Sequence, residues 1–319
     1  MKKRIIITGS TGYIGQSLIR RLLQENSFAI GVISRDTRAA RELLGEEALT
    51  YYEQEDCLQG ILPLAQNDLL LHLGFARPHR GNLDIAKSLE FTGQLFYRAV
   101  KEQIPAIINL SSRSVYSLET PPPWTEQTRV APSSVYGQAK YASELLLTMS
   151  QAIHPQTMIS SIRLGTVSGG GGGLVDAFVL TKFVNQAIKG EPLRIIGGNQ
   201  EIDVLDIRDT VEALVRMLKT PPQEWKPLYN LCSPVTYTIV QMAHLCVEIA
   251  ARFNGGHRSE ITIEKKEVHM RYGMDSKLFY QDMQWQPRWK LEDIIQSLIE
   301  YYLLHDGRSG SEHCIVSEH

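Results

Sequence analysis

The chain lacks any apolar run long enough to cross a membrane: no stretch approaches the roughly 18 consecutive apolar residues a spanning helix needs. Met1-Lys2-Lys3-Arg4 leads directly into Ile5-Ile6-Ile7, without the apolar segment and cleavage site of a secretory signal. The expectation is a cytoplasmic protein with no membrane partner. Neither sign of charge is in excess. Lys and Arg number 33 against 35 Asp and Glu, a net charge of -2. No global field therefore exists to hold nucleic acid, and any anion must be gripped locally. Cysteine is scarce. Cys57, Cys232, Cys246 and Cys314 lie far apart, with no CxxC pair and no histidine at zinc-ligand spacing. They read as reduced structural thiols, and no metal is expected.

The composition that remains, 43% hydrophobic and 21% charged over 319 residues, excludes a fibrous or largely disordered chain. It allows two domains, or one large α/β domain with an appendage. Up to residue 163, short β-branched runs (Arg4 to Thr8, Phe28 to Ile33, Asp68 to His72, Ala106 to Leu110) alternate with helical patterns. The helical patterns are Tyr13 to Gln24, Asp84 to Lys101 and Ser134 to Ala152. That alternation predicts a parallel sheet covered by helices. After Arg163 the texture changes, with glycines from Gly169 to Gly173 and a helix predicted from about Val175 to Lys189. Further helices are predicted at Thr210 to Lys219, Ile239 to Ala251 and Leu291 to Leu304, and the polar tail from Asp306 is expected to be weakly ordered. The division expected is 1–163 for dinucleotide binding, with a return segment at about 204–222, and 164–319 mainly for substrate.

Ile5-Ile6-Ile7-Thr8-Gly9-Ser10-Thr11-Gly12-Tyr13-Ile14-Gly15 sets three glycines between a buried strand and an amphipathic helix. A dinucleotide pyrophosphate needs that context: a tight turn at Gly9, backbone approach at Gly12, close helix packing at Gly15, and a helix N-terminus for the anion. The candidate binding set here is Gly9, Thr11, Gly12, Tyr13, Ile14 and Gly15. The second strand ends in Ser34-Arg35-Asp36, with serine where a carboxylate would bind the ribose of NAD. Arg35, with Arg38 as a second candidate, can grip a 2′-phosphate, so NADP is favoured over NAD. NAD remains the alternative if Asp36 takes the ribose. Asp56 and Cys57 are placed in a loop that meets the adenine.

The helix opening Ser134-Val135-Tyr136-Gly137-Gln138-Ala139-Lys140 puts Tyr136 and Lys140 on one face, four residues apart. A cation beside a phenol lowers its pKa from near 10 and makes it a usable acid or base. Asn109-Leu110-Ser111-Ser112-Arg113-Ser114-Val115-Tyr116 ends a strand at the sheet edge where ligands sit, so its hydroxyls can orient a carbonyl. The bland reading, that the two serines bond their own backbone, stands beside this one.

Together these motifs resemble the extended short-chain dehydrogenase/reductase superfamily, in its nucleotide-sugar epimerase and dehydratase branch. The resemblance continues through Ser161-Ile162-Arg163-Leu164, Asp206-Ile207-Arg208-Asp209 and Asp275-Ser276-Lys277-Leu278. It implies Tyr136 as proton donor or acceptor, Lys140 as holder of the nicotinamide ribose, and Ser112, four residues before Tyr116, as partner of the reacting oxygen. Departures narrow the activity. Arg113 and Ser114 stand where the family's 4,6-dehydratases place Asp and Glu, so dehydration is disfavoured. Glu90 and Ile202 replace an asparagine and an arginine, leaving Lys265, Lys266 and Arg271 as candidate diphosphate cations. The implied activity is an NADP-dependent 4-ketoreductase of a nucleotide-linked sugar. The alternatives are an NAD-bound 4-epimerase, a reductase of a non-sugar carbonyl, and a dinucleotide-sensing or scaffold protein, which the joint presence of Ser112, Tyr136 and Lys140 argues against. A homodimer is expected, because Leu145, Leu146 and Leu147 are too wide for one helix face.

Overall fold

A computed structural model describes residues 2–45, 48–175, 178–268 and 270–305. The C-terminal tail and Cys314 lie outside them. The first half runs β1 (Lys3–Thr8), α1 (Tyr13–Glu25), β2 (Phe28–Ser34), α2 (Thr37–Leu44), β3 (Leu49–Glu53), α3 (Gln54–Gln59), β4 (Leu69–His72) and α4 (Asn82–Lys101). It continues with β5 (Ala106–Ser112), α5 (Val135–Gln151), β6 (Met158–Leu164) and β7 (Thr166–Ser168). Then come α6 (Val179–Lys189), β8 (Leu193–Ile196), β9 (Glu201–Asp206), α7 (Ile207–Lys219), β10 (Leu228–Leu231) and β11 (Thr236–Thr238). The chain closes with α8 (Ile239–Ala250), β12 (Ile261–Glu264), α9 (Lys277–Asp282) and α10 (Leu291–His305).

Seven of these strands form one sheet in the order β10-β6-β5-β4-β1-β2-β3, parallel at every pairing. This is the doubly wound, Rossmann-like α/β architecture the sequence predicts. The unbroken isoleucine run of β1 has a direct cause. Ile5 and Ile7 face a core with α1 and α7, whereas Ile6 faces the opposite core with α4 and α5, so both sides of the strand are dry. A separate core joins α6, α8 and α10 to β8 and β9, beside two small sheets, β11-β9-β7 and β12-β8. No helix among the described residues is long and apolar enough to cross a membrane. Cys57, Cys232 and Cys246 are free and buried, and no His/Cys/Asp/Glu cluster there could hold a metal.

Two helix starts differ from expectation by three residues or more, while α4 starts two residues early and α5 one late. α6 begins at Val179, not near 175. α7 begins three residues earlier than predicted, at Ile207, because the Asp206 carboxylate accepts the Arg208 N–H and caps the helix.

Candidate active site

The strand order reverses between β1 and β4, the point where a crevice opens outside the carboxyl ends of a doubly wound sheet. The loops after these two strands touch there: a Cβ on Gly9 would fall 2.5 Å from the Gly74 nitrogen. A cavity of about 820 Å3 follows the crevice, lined by Gly9, Thr11, Gly12, Tyr13 and Arg35 among others. Gly15 lies behind it, where a Cβ would come within 2.1 Å of the Gly9 carbonyl, so only glycine lets α1 sit this close to its strand. Ile14 packs against the core rather than lining the cavity. Tyr13 lines it, while its buried hydroxyl reaches away to donate to the Gly169 carbonyl at 2.6 Å.

The residues fit a dinucleotide. Gly12, the N-cap residue of α1, offers no side-chain cap, which leaves first-turn N–H groups for an anion, and the buried Ser10 hydroxyl has no partner among the described residues. At the adenosine end, Arg35 is exposed on the cavity wall. Asp36 is committed as the cap of α2, accepting the Ala39 N–H at 2.9 Å, and Ser34 donates to the Asp36 carbonyl. Arg38 pairs with Glu42 at 3.3 Å and does not line the cavity. The expectation for Asp56 and Cys57 needs correction. They lie within helix α3, not a loop, and Cys57 turns into the core, where burial pushes its thiol up to about 11. Gln54 and Leu58 line the cavity in their stead, since one turn of helix puts a different face toward the crevice.

The Tyr136 pair is built by close approach. Ser134 caps α5 by accepting the Gly137 N–H at 3.0 Å. A Cβ on Gly137 would lie 2.1 Å from the Ser114 carbonyl, so α5 starts hard against the turn after β5. That contact brings the Tyr136 hydroxyl within hydrogen-bond reach of Ser112. Ser112 accepts the Ser114 N–H at 3.2 Å, whereas Ser111 is occupied by Glu144 at 2.5 Å, which leaves Ser112 as the serine that meets the phenol. Burial raises the Tyr136 pKa, against lowering by Arg77 and the Ser112 hydrogen bond. The expected lowering by Lys140 is not what the structure has. Lys140 is buried, donates to the Leu110 carbonyl at 2.6 Å, and is pulled by burial from 10.5 to about 7, with Glu144 opposing and Arg77 reinforcing.

Because the folded pKa lies below the unfolded one, the chain should gain stability as pH rises from about 7 to about 10. Lys140→Met should remove that slope, so its melting temperature relative to the parent should be more favourable at about pH 6 than at about pH 9. Thermal melts at both pH values check this, and a pH-independent difference would show that the buried charge costs nothing.

Several side chains around the site take roles that the sequence motifs do not assign to them. The Glu144 carboxylate takes Arg163 Nε at 3.1 Å and Nη2 at 2.8 Å, and Arg163 Nη1 donates to the Tyr116 hydroxyl at 2.9 Å. Tyr116 donates in turn to the Asn230 side chain at 2.8 Å. The helical spacing of Glu144, one turn beyond Lys140, was the available signal. His72 bridges Thr8 at 2.7 Å and Thr92 at 2.9 Å, fully buried and held neutral at about 3 by desolvation. Arg113 pairs with the buried Asp203 at 3.1 Å and stacks 3.9 Å from the Tyr272 ring centroid, so its guanidinium is directed to Asp203 and Tyr272. A second cavity of about 740 Å3 lies among Pro122, Asn199, Glu201, Arg271 and Tyr272, with Arg271 bound to Glu201 at 2.7 Å. Lys265 and Lys266 are exposed outside it.

Comparison with known proteins agrees with this geometry. Residues 5–232 match the model of the NAD dependent epimerase/dehydratase family. The chain belongs to that family. It is thus one of its enzymes, built on the same dinucleotide fold. A probable UDP-glucuronate 4-epimerase of Rhizobium meliloti is 28% identical over 240 residues, covering 69% of this chain and 70% of that protein. The crystal structure of UDP-glucose 4-epimerase with UDP-glucose from Thermotoga maritima superposes with a TM-score of 0.79 at 22% identity, over 94% of this chain and 99% of that one. UDP-glucuronic acid 4-epimerase from Bacillus cereus, in complex with UDP-glucuronic acid and NAD, gives 0.76 at 20% identity, with the same coverage.

Proposed function

We propose that this family member is an NADP-dependent oxidoreductase acting at C4 of a nucleotide-linked sugar, in the direction of ketone reduction. The observation that carries the cofactor choice is the Arg35 guanidinium, exposed on the cavity wall while Ser34 and Asp36 are bound to one another and to α2. An NADP enzyme exchanges its cofactor for net reduction, which is the basis for preferring a reductase. The substrate class is supported by the relatives, whose names specify UDP-sugars, and by the room in the second cavity, which Leu118, Glu119 and Pro122 line from the long segment between β5 and α5. A 4-epimerase holding NAD is the second reading, favoured by the same relatives.

In this mechanism Gly9, Thr11, Gly12 and Tyr13 would hold the pyrophosphate, with Ile14 and Gly15 packing α1 behind the turn, and a bound nicotinamide would supply or accept the hydride. Tyr136 donates the proton to the carbonyl oxygen, or removes it in the reverse direction. Ser112 hydrogen-bonds that oxygen and holds it to the phenol. Lys140 holds the nicotinamide ribose. Residues 1–163, with the return segment at about 204–222, form the cofactor part in this reading, and the remainder of 164–319 selects the substrate.

A charge-assisted, bidentate arginine contact should make NADPH bind about tenfold or more tightly than NADH. Ser34→Asp with Arg35→Ala should invert the order, because the new carboxylate accepts ribose hydroxyls and repels phosphate. Fluorescence titration of both cofactors checks this. Equal or tighter NADH binding by the parent would turn the assignment to the epimerase.

We also propose that α4 and α5 pair with their copies in a homodimer. Leu147 is buried and Leu146 lies against α4 at Gly93, whereas Leu145 and Met149, one turn apart on α5, are an exposed apolar stripe, and Tyr97 of α4 is exposed as well. Burying that stripe would remove apolar surface from water. Analytical ultracentrifugation should give a dimer, and a monomer at every concentration would exclude it.

A further inference from the structure

Ser112, the serine that meets the phenol, has a cation as its next neighbour in the chain. Arg113 leaves the end of β5 with its guanidinium stacked 3.9 Å from the centroid of the Tyr272 ring, and that ring lines the 740 Å3 cavity. Arg113 therefore stands where the Ser112–Tyr136 end of the site meets the second cavity. Asp203, fully buried, accepts from Nη1 alone at 3.1 Å. Among the described residues neither Nε nor Nη2 has an acceptor, and neither is sealed within the core as Arg98 Nη1 is. The ring under the guanidinium is itself fixed, since Tyr272 meets Trp124 edge-on at 6.3 Å and Trp124 stacks on Tyr116 at 5.3 Å. A guanidinium held by one carboxylate and one ring aims its remaining planar donors in a fixed direction, which suits a carboxylate or a phosphate.

The other cations near this cavity are spent or stand apart. Arg271, the one cation among its described lining residues, is bound to Glu201 at 2.7 Å, and Glu119 adds a further carboxylate to the wall. Lys265 and Lys266 are exposed outside it. We propose that Arg113 receives the acid group of the substrate, as a specificity-determining residue between a sugar held at Ser112 and a nucleotide in the second cavity. This rests on the reading of the substrate as a nucleotide-linked sugar. Two groups on such a molecule share the required chemistry, an anion that accepts paired N–H bonds. One is the diphosphate, which lies between the sugar and the nucleoside and so passes the junction where Arg113 stands. The other is a carboxylate at C5, beside the C4 oxygen that Ser112 would hold. Asp203 orients the guanidinium and leaves its free edge to the ligand.

Calorimetric titration of the full chain tests this. UDP, dTDP, GDP and CDP identify the nucleotide, and that diphosphate is then compared with its glucose and glucuronate conjugates. Arg113→Met is made together with Asp203→Asn, which avoids an unpaired buried carboxylate, and Asp203→Asn alone is its reference. Loss of the guanidinium should weaken binding roughly ten- to a hundredfold, the worth of a bidentate charge-assisted contact. A loss shared by all three ligands assigns the diphosphate, and a loss confined to the glucuronate conjugate assigns the carboxylate. Arg113→Lys, which keeps the charge without the planar fork, should recover part of the affinity. Arg271→Gln should change each affinity by less than about threefold. Arg113 does not line the 820 Å3 cavity, so dinucleotide affinity should be unmoved in every variant, and that readout separates a lost contact from a lost fold. Unchanged affinity for all three ligands in the double variant, or a larger loss in Arg271→Gln, overturns the proposal and leaves the nucleotide-sugar reading standing. A parent that binds none of the nucleotides or conjugates overturns both.

Discussion

Tyr136→Phe is expected to lower kcat by roughly a hundred to ten thousand fold, the usual worth of a positioned general acid. Dinucleotide affinity should stay within about twofold of the parent, since the lost hydroxyl acts on the substrate oxygen. The ring remains, so its edge contact with Phe75 at 6.3 Å and the packing of α5 on the β5 turn are retained. Only the hydrogen bond toward Ser112 disappears. Steady-state turnover beside cofactor titration separates the two effects. A variant with parental kcat would remove Tyr136 from the chemistry. A variant that lost cofactor binding as well would place the phenol against the dinucleotide.

The second large effect concerns stability beneath the site. Arg163→Met should destabilise the fold by about 3–5 kcal/mol, because it leaves the Glu144 carboxylate buried with its cation removed. Arg163 is 4% exposed at its side chain and Glu144 10%, so water cannot substitute for the lost pair. Ser111 would be the remaining side-chain donor to Glu144, and Tyr116 would lose its guanidinium partner. In a chain of this size the melting temperature should fall by on the order of ten degrees. Adding Glu144→Leu should recover part of the loss, since the unpaired charge goes with it. Urea unfolding of the two single variants and the double one measures the coupling. Purely additive losses would mean that the pair is worth nothing beyond its two side chains.

The sequence by itself determined what depends on local order. β-branched runs alternating with helical spacing specify a parallel sheet covered on both faces, because each strand must be dry on both sides. The glycine turn after β1 and the Tyr136–Lys140 spacing on α5 are equally local, since backbone freedom and helical pitch act within a few residues. The cap that Asp206 places on α7 is equally local. Tertiary structure alone decided the rest. Whether Asp56 and Cys57 face a ligand or the core depends on how α3 rotates against α4. That only Ser112 of the serine pair is available to the phenol depends on Glu144, 33 residues beyond Ser111. Where the charge of Lys140 is spent depends on α5 meeting β5 at the Leu110 carbonyl and the β4 loop at the Phe75 ring. Electrostatic effects act through space and through local dielectric, and neither quantity is a function of sequence separation.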